Sequence, residues 1–294
     1  MSSDYRPADL LVYETVAEMI SAFPQPVVHY ENNGAILLKD CGFEYDEAFI
    51  ATLVFPAQWK KIGSFNGITK APVVFENGGF SRTDNPLCSI CEDDRLLLKM
   101  YSEFLRLELS FRLLVHQVFP TYRNIDFANC TFRFTPTRDE NIHLDVFNRG
   151  QPFPPKWQQP RLKLFLNVDS EPRIWNVGPT LPEVLKHARL KLQSRLPADV
   201  NMLCKLLSES GVLDCAPLAQ VEIPSRGVIF ANGGTVVHQV VYGNRVIGLE
   251  AGMPTSSMYT QIGCEWDNLR GWIADAGYEF EEISAPYIVG APIE

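Results

Sequence analysis

The chain has 294 residues, 46% of them apolar and 21% charged, and a formal net charge of -9. That is one large domain or two small ones, with room for a sizeable core, and the composition is that of a folded globular protein rather than a disordered one. The negative balance excludes DNA or RNA as the default partner, because phosphate binding needs a basic face.

The opening MSSDYRPADL has no basic start followed by an apolar core, so it does not read as a signal peptide. No apolar run reaches the ~18 residues a membrane helix needs. Both features predict a soluble, cytoplasmic protein. The seven cysteines are odd in number and scattered, as suits reduced thiols. Cys88 and Cys91 form a single CxxC with no second pair at zinc-site spacing, so they read as two free thiols in a loop.

In chain order, residues 8–22 have helical apolar spacing. PVVHY and GAILLKD read as short strands around the Asn32-Asn33-Gly34 turn. Residues 46–54 suit a helix, and Trp59 to Asn85 is a Gly-, Asn- and Pro-rich run of loops with short strands. Asp93 to Val118 predicts a long helix, apolar every three or four positions, acidic at its start and stopped by Pro120. The remainder is mostly β: NCTFRFTP, NIHLDVF, RLKLFLNV and RIWNV, then QVEIP, GVIFAN, TVVHQVVY and RVIGLEAG. A helical stretch from Leu181 to Gly211 interrupts these strands, Tyr242 to Arg245 reads as a tight hairpin turn, and EWDNLRGWIADAG closes the series as a short helix. The pattern predicts a mainly β chain with flanking helices, a single jelly-roll, cupin-like domain over 1–294. Within it, a helix-and-strand buttress covers about 1–120, the barrel about 121–260 and a helical extension about 261–294.

His143 and Asp145 stand two apart in NIHLDVF, an otherwise apolar run. On a strand that spacing turns both side chains to one face. Of the other histidines, His116 and His187 fall in helical stretches and His29 near the N-terminus, whereas His238 lies in a late strand and is the natural third member. Two histidines and a carboxylate on one side of a metal leave the opposite positions open, which suits Fe(II) holding a co-substrate and oxygen together; zinc takes the same ligands. A keto-acid co-substrate such as 2-oxoglutarate needs a cation for its far carboxylate. Arg245, seven residues past His238, ranks first, followed by Lys163 and Arg161 on the strand after the His-x-Asp motif. Asn148, Arg149, Arg133, Arg173 and Trp175 are candidates to line a substrate pocket, and Trp157 sits in a Pro-rich loop suited to a lid.

With these residues in view, the chain resembles iron(II)/2-oxoglutarate-dependent oxygenases, and among them the bacterial Kdo hydroxylase family. GAILLKDCGFEYDEAFIATL, CTFRFTP with HLDVF, LKLFLNVDSEPRIWNVG, VVHQVVYG and MPTSSM carry the likeness, collinear from about residue 30 to 260. The resemblance implies a double-stranded β-helix, a metal site of His143, Asp145 and His238, and dependence on Fe(II), 2-oxoglutarate and O2, with ascorbate stimulatory. It further implies hydroxylation at carbon 3 of the sugar acid Kdo in the lipopolysaccharide inner core, a lipid-linked substrate that would bring the protein to the inner membrane face. The acidic balance departs from what such a substrate favours. The competing readings are the same chemistry on an amino acid, peptide or natural-product intermediate, a non-catalytic jelly-roll binding protein, and a cupin-like metal isomerase with no keto acid.

Overall fold

A computed structural model describes residues 5–54, 75–76, 79–80, 93–127, 130–134, 136–146, 152, 158–188 and 192–281. The Cys88–Cys91 pair, Asn148, Arg149 and Trp157 lie outside this set, as does most of the Trp59–Asn85 region.

The N-terminal third comprises β1 (Leu10–Thr15), α1 (Val16–Ser21), α2 (Gln25–Glu31), β2 (Ala35–Asp40), α3 (Glu47–Thr52), the short pair β3 (Phe75–Glu76) and β4 (Gly79–Phe80), and α4 (Asp94–Val118). The middle holds β5 (Asp126–Phe127), β6 (Thr131–Arg133), β7 (Thr137–Arg138), β8 (Arg161–Asn167), β9 (Arg173–Thr180), α5 (Leu181–His187), β10 (Arg195–Pro197) and α6 (Val200–Glu209). The chain continues through β11 (Ala219–Ile223), β12 (Val228–Phe230), β13 (Val236–Gly243), β14 (Val246–Gly252), α7 (Glu265–Asp275) and β15 (Glu279–Glu281).

Two sheets face each other. One runs β1-β2-β12-β8-β14-β5, with β6 also paired to β14; the other runs β11-β9-β13-β7. Only β1 and β2 pair parallel within these two sheets. Alternation of side chains assigns each strand two faces. On β8, Leu162, Leu164 and Leu166 are fully buried in a core shared with α4, while Phe165 turns to the space between the sheets. The α4 stripe of Leu97, Met100, Phe104, Leu107, Phe111, Leu114 and Val118 enters that same core, with Phe104 stacked on Phe132 at 4.1 Å between centroids. Each such fully buried side chain contributes about 1.5–3 kcal/mol by leaving water. A second core joins α5, α6 and α7 to Val237 on the outer face of β13. The molecule is thus layered helix, sheet, sheet, helix.

The long helix forms as predicted, with the Asp93 carboxylate accepting from the Arg95 N–H at its start. Four expectations are corrected. Residues 10–15 form a strand and only 16–21 a helix, because β1 finds a parallel partner in β2. PVVHY is helical: Val27 and Tyr30, three apart, both turn inward from α2. Leu181 to Gly211 divides into α5 and α6, separated by β10. The Tyr242–Arg245 turn is not a hairpin, since β13 and β14 belong to different sheets and the chain crosses between them there.

Candidate metal centre

His238 lies on β13 opposite Val177 of β9. The segment around His143 is not a strand; it meets β13 in one isolated antiparallel bridge, His143 to His238. In that bridge each histidine N–H donates to the other's carbonyl at 3.0 Å. Asp145 follows two residues on, its N–H donating to Gly233 O at 2.7 Å. His143, Asp145 and His238 each offer a ligand atom, and these atoms lie within 4.8 Å of one another. Asp145 Oδ1 is 3.9 Å from His143 Nε2 and 3.8 Å from His238 Nε2.

The backbone fixes the imidazole tautomers. His143 Nδ1 lies 2.6 Å from Asn141 O and His238 Nδ1 lies 3.0 Å from Val236 O. A carbonyl only accepts, so each Nδ1 carries the proton and each Nε2 keeps its lone pair toward Asp145. Burial holds His238 neutral, pushing its pKa down to about 4 against the opposing pull of the Asp145 carboxylate. Burial alone would raise the Asp145 pKa, but the Lys163 ammonium, by its charge and its hydrogen bond, holds it well below the usual carboxylate range. Two neutral nitrogen donors and one ionised oxygen donor fit a divalent transition metal.

The other β face supplies cations. Lys163 Nζ donates to Asp145 Oδ2 at 2.6 Å and is 4% exposed. Glu250 stands opposite Lys163 in the β14–β8 register, with Oε2 4.0 Å from Lys163 Nζ and Oε1 accepting from Arg161 Nη1 at 3.0 Å. The Tyr30 hydroxyl pins this strand end by accepting from Lys163 N–H and donating to Arg161 O, both at 3.0 Å. Gly233 is required by space: a Cβ there would sit 2.0 Å from Asp145 Oδ2 and 2.9 Å from the His238 ring.

Lys163 therefore joins the triad, and Arg161 joins it through Glu250. Arg245 does not: it donates to Asp169 at 3.2 Å and to Ala51 O at 2.8 Å. Trp175 turns inward from β9 and stacks on His238, centroids 5.4 Å apart, with its indole N–H unpartnered among the described residues. Arg173, also inward on β9, is buried with its Nε unpartnered; its guanidinium lies against Gly243, and burial pushes its pKa down to about 10, partly opposed by Glu140. Arg133 is exposed at the end of β6, on the face opposite Phe132 and so on the side of the sheet that carries Lys163 and Phe165, and its charge adds to the lowering of the Arg173 pKa. Sequence reasoning missed Glu250, Asn232, Gly233 and Glu265. Glu250 carried a usable signal, an isolated charge inside the apolar run RVIGLEAG, the same signal that marks His143 and Asp145.

Fold and site together define a double-stranded β-helix with a His-x-Asp…His cluster at its mouth. Solved structures of the Kdo hydroxylase KdoO, a non-heme Fe(II) alpha-ketoglutarate-dependent dioxygenase, share this fold. Its complex with alpha-ketoglutarate and Fe(III) aligns over 92% of this chain and 97% of its own, with TM-score 0.62 and 13% identity. The apo form aligns over 90% and 96%, with TM-score 0.60 and 14% identity. The cobalt(II) complex covers 96% and 99%, with TM-score 0.60 and 13% identity. No protein-family model and no curated protein sequence matches the chain. Among the described residues, no helix is long and apolar enough to cross a membrane.

Proposed function

We propose that this protein is an Fe(II)/2-oxoglutarate-dependent hydroxylase, with His143, Asp145 and His238 as its metal ligands. The observation that carries the reading is the convergence of two Nε2 lone pairs and one ionised carboxylate oxygen, on a fold shared with a dioxygenase of that chemistry. When bound, iron with 2-oxoglutarate and O2 supplies the oxidising power to turn a substrate C–H into C–OH, releasing succinate and CO2.

The chain's own residues do the rest. Asn141 O and Val236 O hold both imidazoles in the ligating tautomer. Lys163 holds Asp145 Oδ2, which leaves Oδ1 facing the histidines. Lys163, with Arg161 beside it, is also the cation assigned to the far carboxylate of 2-oxoglutarate, because it contacts the triad directly whereas Arg245 lies against Asp169 and Ala51. Trp175 and Phe165 close the barrel behind His238 with aromatic surface, 5.1 Å between ring centroids, and keep bulk water from that side. Kdo, the substrate named for the similar solved structures, is the first substrate candidate, with carbon 3 as the position implied by the sequence resemblance. A lipid-linked form of it would bring the protein to the inner membrane face.

Succinate release from 2-oxoglutarate with Fe(II) and ascorbate under air tests the reading, with wild type and Asp145→Ala, each with and without a Kdo-containing lipid A acceptor. Release lost in the variant is expected, and stimulation by the acceptor would support Kdo. Equal release by both proteins would remove Asp145 from the site.

A further inference from the structure

A cavity of about 140 Å³, well above the ~10–15 Å³ that one water needs, is walled by neighbours of the metal-centre residues, not by the three ligands themselves. It is built where the end of α2, the loop before α7 and the first turns of α7 meet the barrel mouth: Tyr30, Glu31, Arg161, Asn232, Glu265 and Asn268 are among its walls. Two of these reach the triad. Asn232 precedes Gly233, whose carbonyl accepts from Asp145 N–H. Arg161 shares Glu250 with Lys163, which holds Asp145.

The charged side chains of this wall are two carboxylates, Glu31 and Glu265, and one guanidinium, Arg161. Glu31 faces the cavity but is spent: Oε1 accepts from Tyr259 N–H, and Oε2 accepts from both the N–H and hydroxyl of Thr260, at 2.6–2.8 Å. Arg161 is ion-paired with Glu250 through Nη1. Asn268 Nδ2 donates to Ile262 O and Cys264 O, which turns its amide oxygen to other use. Glu265, 6% exposed, accepts from Asn232 Nδ2 at 3.3 Å. Burial raises the Glu265 pKa. A carboxylate entering here would meet two carboxylates, Glu265 and Glu31, against one guanidinium that is already ion-paired with Glu250. A hydroxyl would meet acceptors, and the rings of Tyr30, Tyr122 and Trp272 would face the C–H side of a sugar or polyol.

We propose that this cavity is the subsite for the uncharged, hydroxyl-bearing part of the substrate, that Glu265 and Asn268 accept from its hydroxyls, and that the cavity turns carboxylates away. The assignment rests on the oxygenase reading for its place in catalysis, but not for its ligand chemistry. A sugar acid would seat its hydroxylated side here and keep its carboxylate outside.

The test is ligand-observed NMR on the full chain without co-substrate, using methyl glucoside and glucuronate as probes on wild type, Glu265→Gln and Glu265→Leu. Wild type is expected to bind the glucoside at least tenfold more tightly than glucuronate. Glutamine, which keeps an acceptor, should stay within about threefold of wild type, and leucine should lose at least tenfold. Circular dichroism checks that each variant is folded. If leucine fails to fold, the wild-type preference alone decides. Glucuronate binding as well as the glucoside, or neither probe binding, overturns the proposal. A glutamine loss equal to that of leucine would mean the group is held by charge, which overturns the uncharged assignment. Because the assay contains no 2-oxoglutarate, a protein that binds the glucoside yet releases no succinate under Fe(II) would sink the oxygenase reading and leave this one standing.

Discussion

The two faces of β8 make the molecule's sharpest contrast. Outward, Leu162, Leu164 and Leu166 lie in a dry core with α4, every one fully buried. Inward, Arg161 and Lys163 sit in a charged cluster with Glu250 and Asp145. One seven-residue strand serves both, because successive side chains point to opposite sides. Burying Lys163 and the Asp145–Lys163 pair is costly, since desolvation offsets much of their attraction. The leucine face supplies the stability that holds this expensive arrangement in place. Stability and chemistry are therefore separable here by residue parity, and mutations can separate them.

The largest effect falls on the charged face. Asp145→Ala removes the only anionic ligand and leaves Lys163 buried without its carboxylate, so metal binding and succinate release should vanish. Metal content and turnover measured on the same preparation check this. On the dry face, Phe104→Ala should cost about 3–5 kcal/mol of unfolding free energy, as large-to-small core changes do. Equilibrium denaturation gives that number, and the surviving folded fraction should bind metal with wild-type affinity. Loss of affinity there would show that the two faces are not separable.

Acid should act on the charged inner face of β8 and not on its leucine face. His238 has a folded pKa of about 4 against roughly 6.5 unfolded, so the unfolded chain takes up its proton first as pH falls. The stabilising contribution is complete above about pH 6.5 and is lost between there and pH 4, on the order of 3 kcal/mol at most. Asp145, held low, extends the loss in the same direction below that window. Denaturation of metal-free protein at pH 7 and pH 5 tests the sign, and His238→Gln should flatten the slope.

The smallest effects compare two cations. Lys163→Met should raise the 2-oxoglutarate concentration for half-maximal succinate release roughly tenfold or more, the worth of one charge-assisted hydrogen bond. Arg245→Ala should leave that concentration within about twofold and instead cost about 1–3 kcal/mol of stability, by leaving buried Asp169 with the Ser170 N–H but without its cation. Reversed results would restore Arg245 to the site.

Much of this was legible in the sequence because strands advertise their faces. A histidine and an aspartate two apart in an apolar run, and His238 in TVVHQVVY, stand out against a period-two background. The long helix was legible from its stripe and its acidic start. What the sequence hid was set by distant partners. Residues 10–15 are extended because β2 lies alongside, and Val27 and Val28 are helical despite their β preference because only the helical spacing buries Val27 with Tyr30. Arg245 looked like an anchor from its distance to His238, but distance along the chain carries no sign of the sheet crossing that sends it toward Asp169. The pairing of Lys163 with Asp145, and the seat of Glu265 against Asn232, join segments with no local trace of each other.

The single bridge between His143 and His238 has a kinetic consequence. Two reciprocal amide hydrogen bonds tie together the backbone beneath the two rings. Their amide hydrogens should therefore exchange with solvent as one cooperative event. With the ligands aligned before any ion arrives, metal uptake would be limited by diffusion and dehydration of the ion rather than by refolding, and the two amides should gain little further protection when it binds.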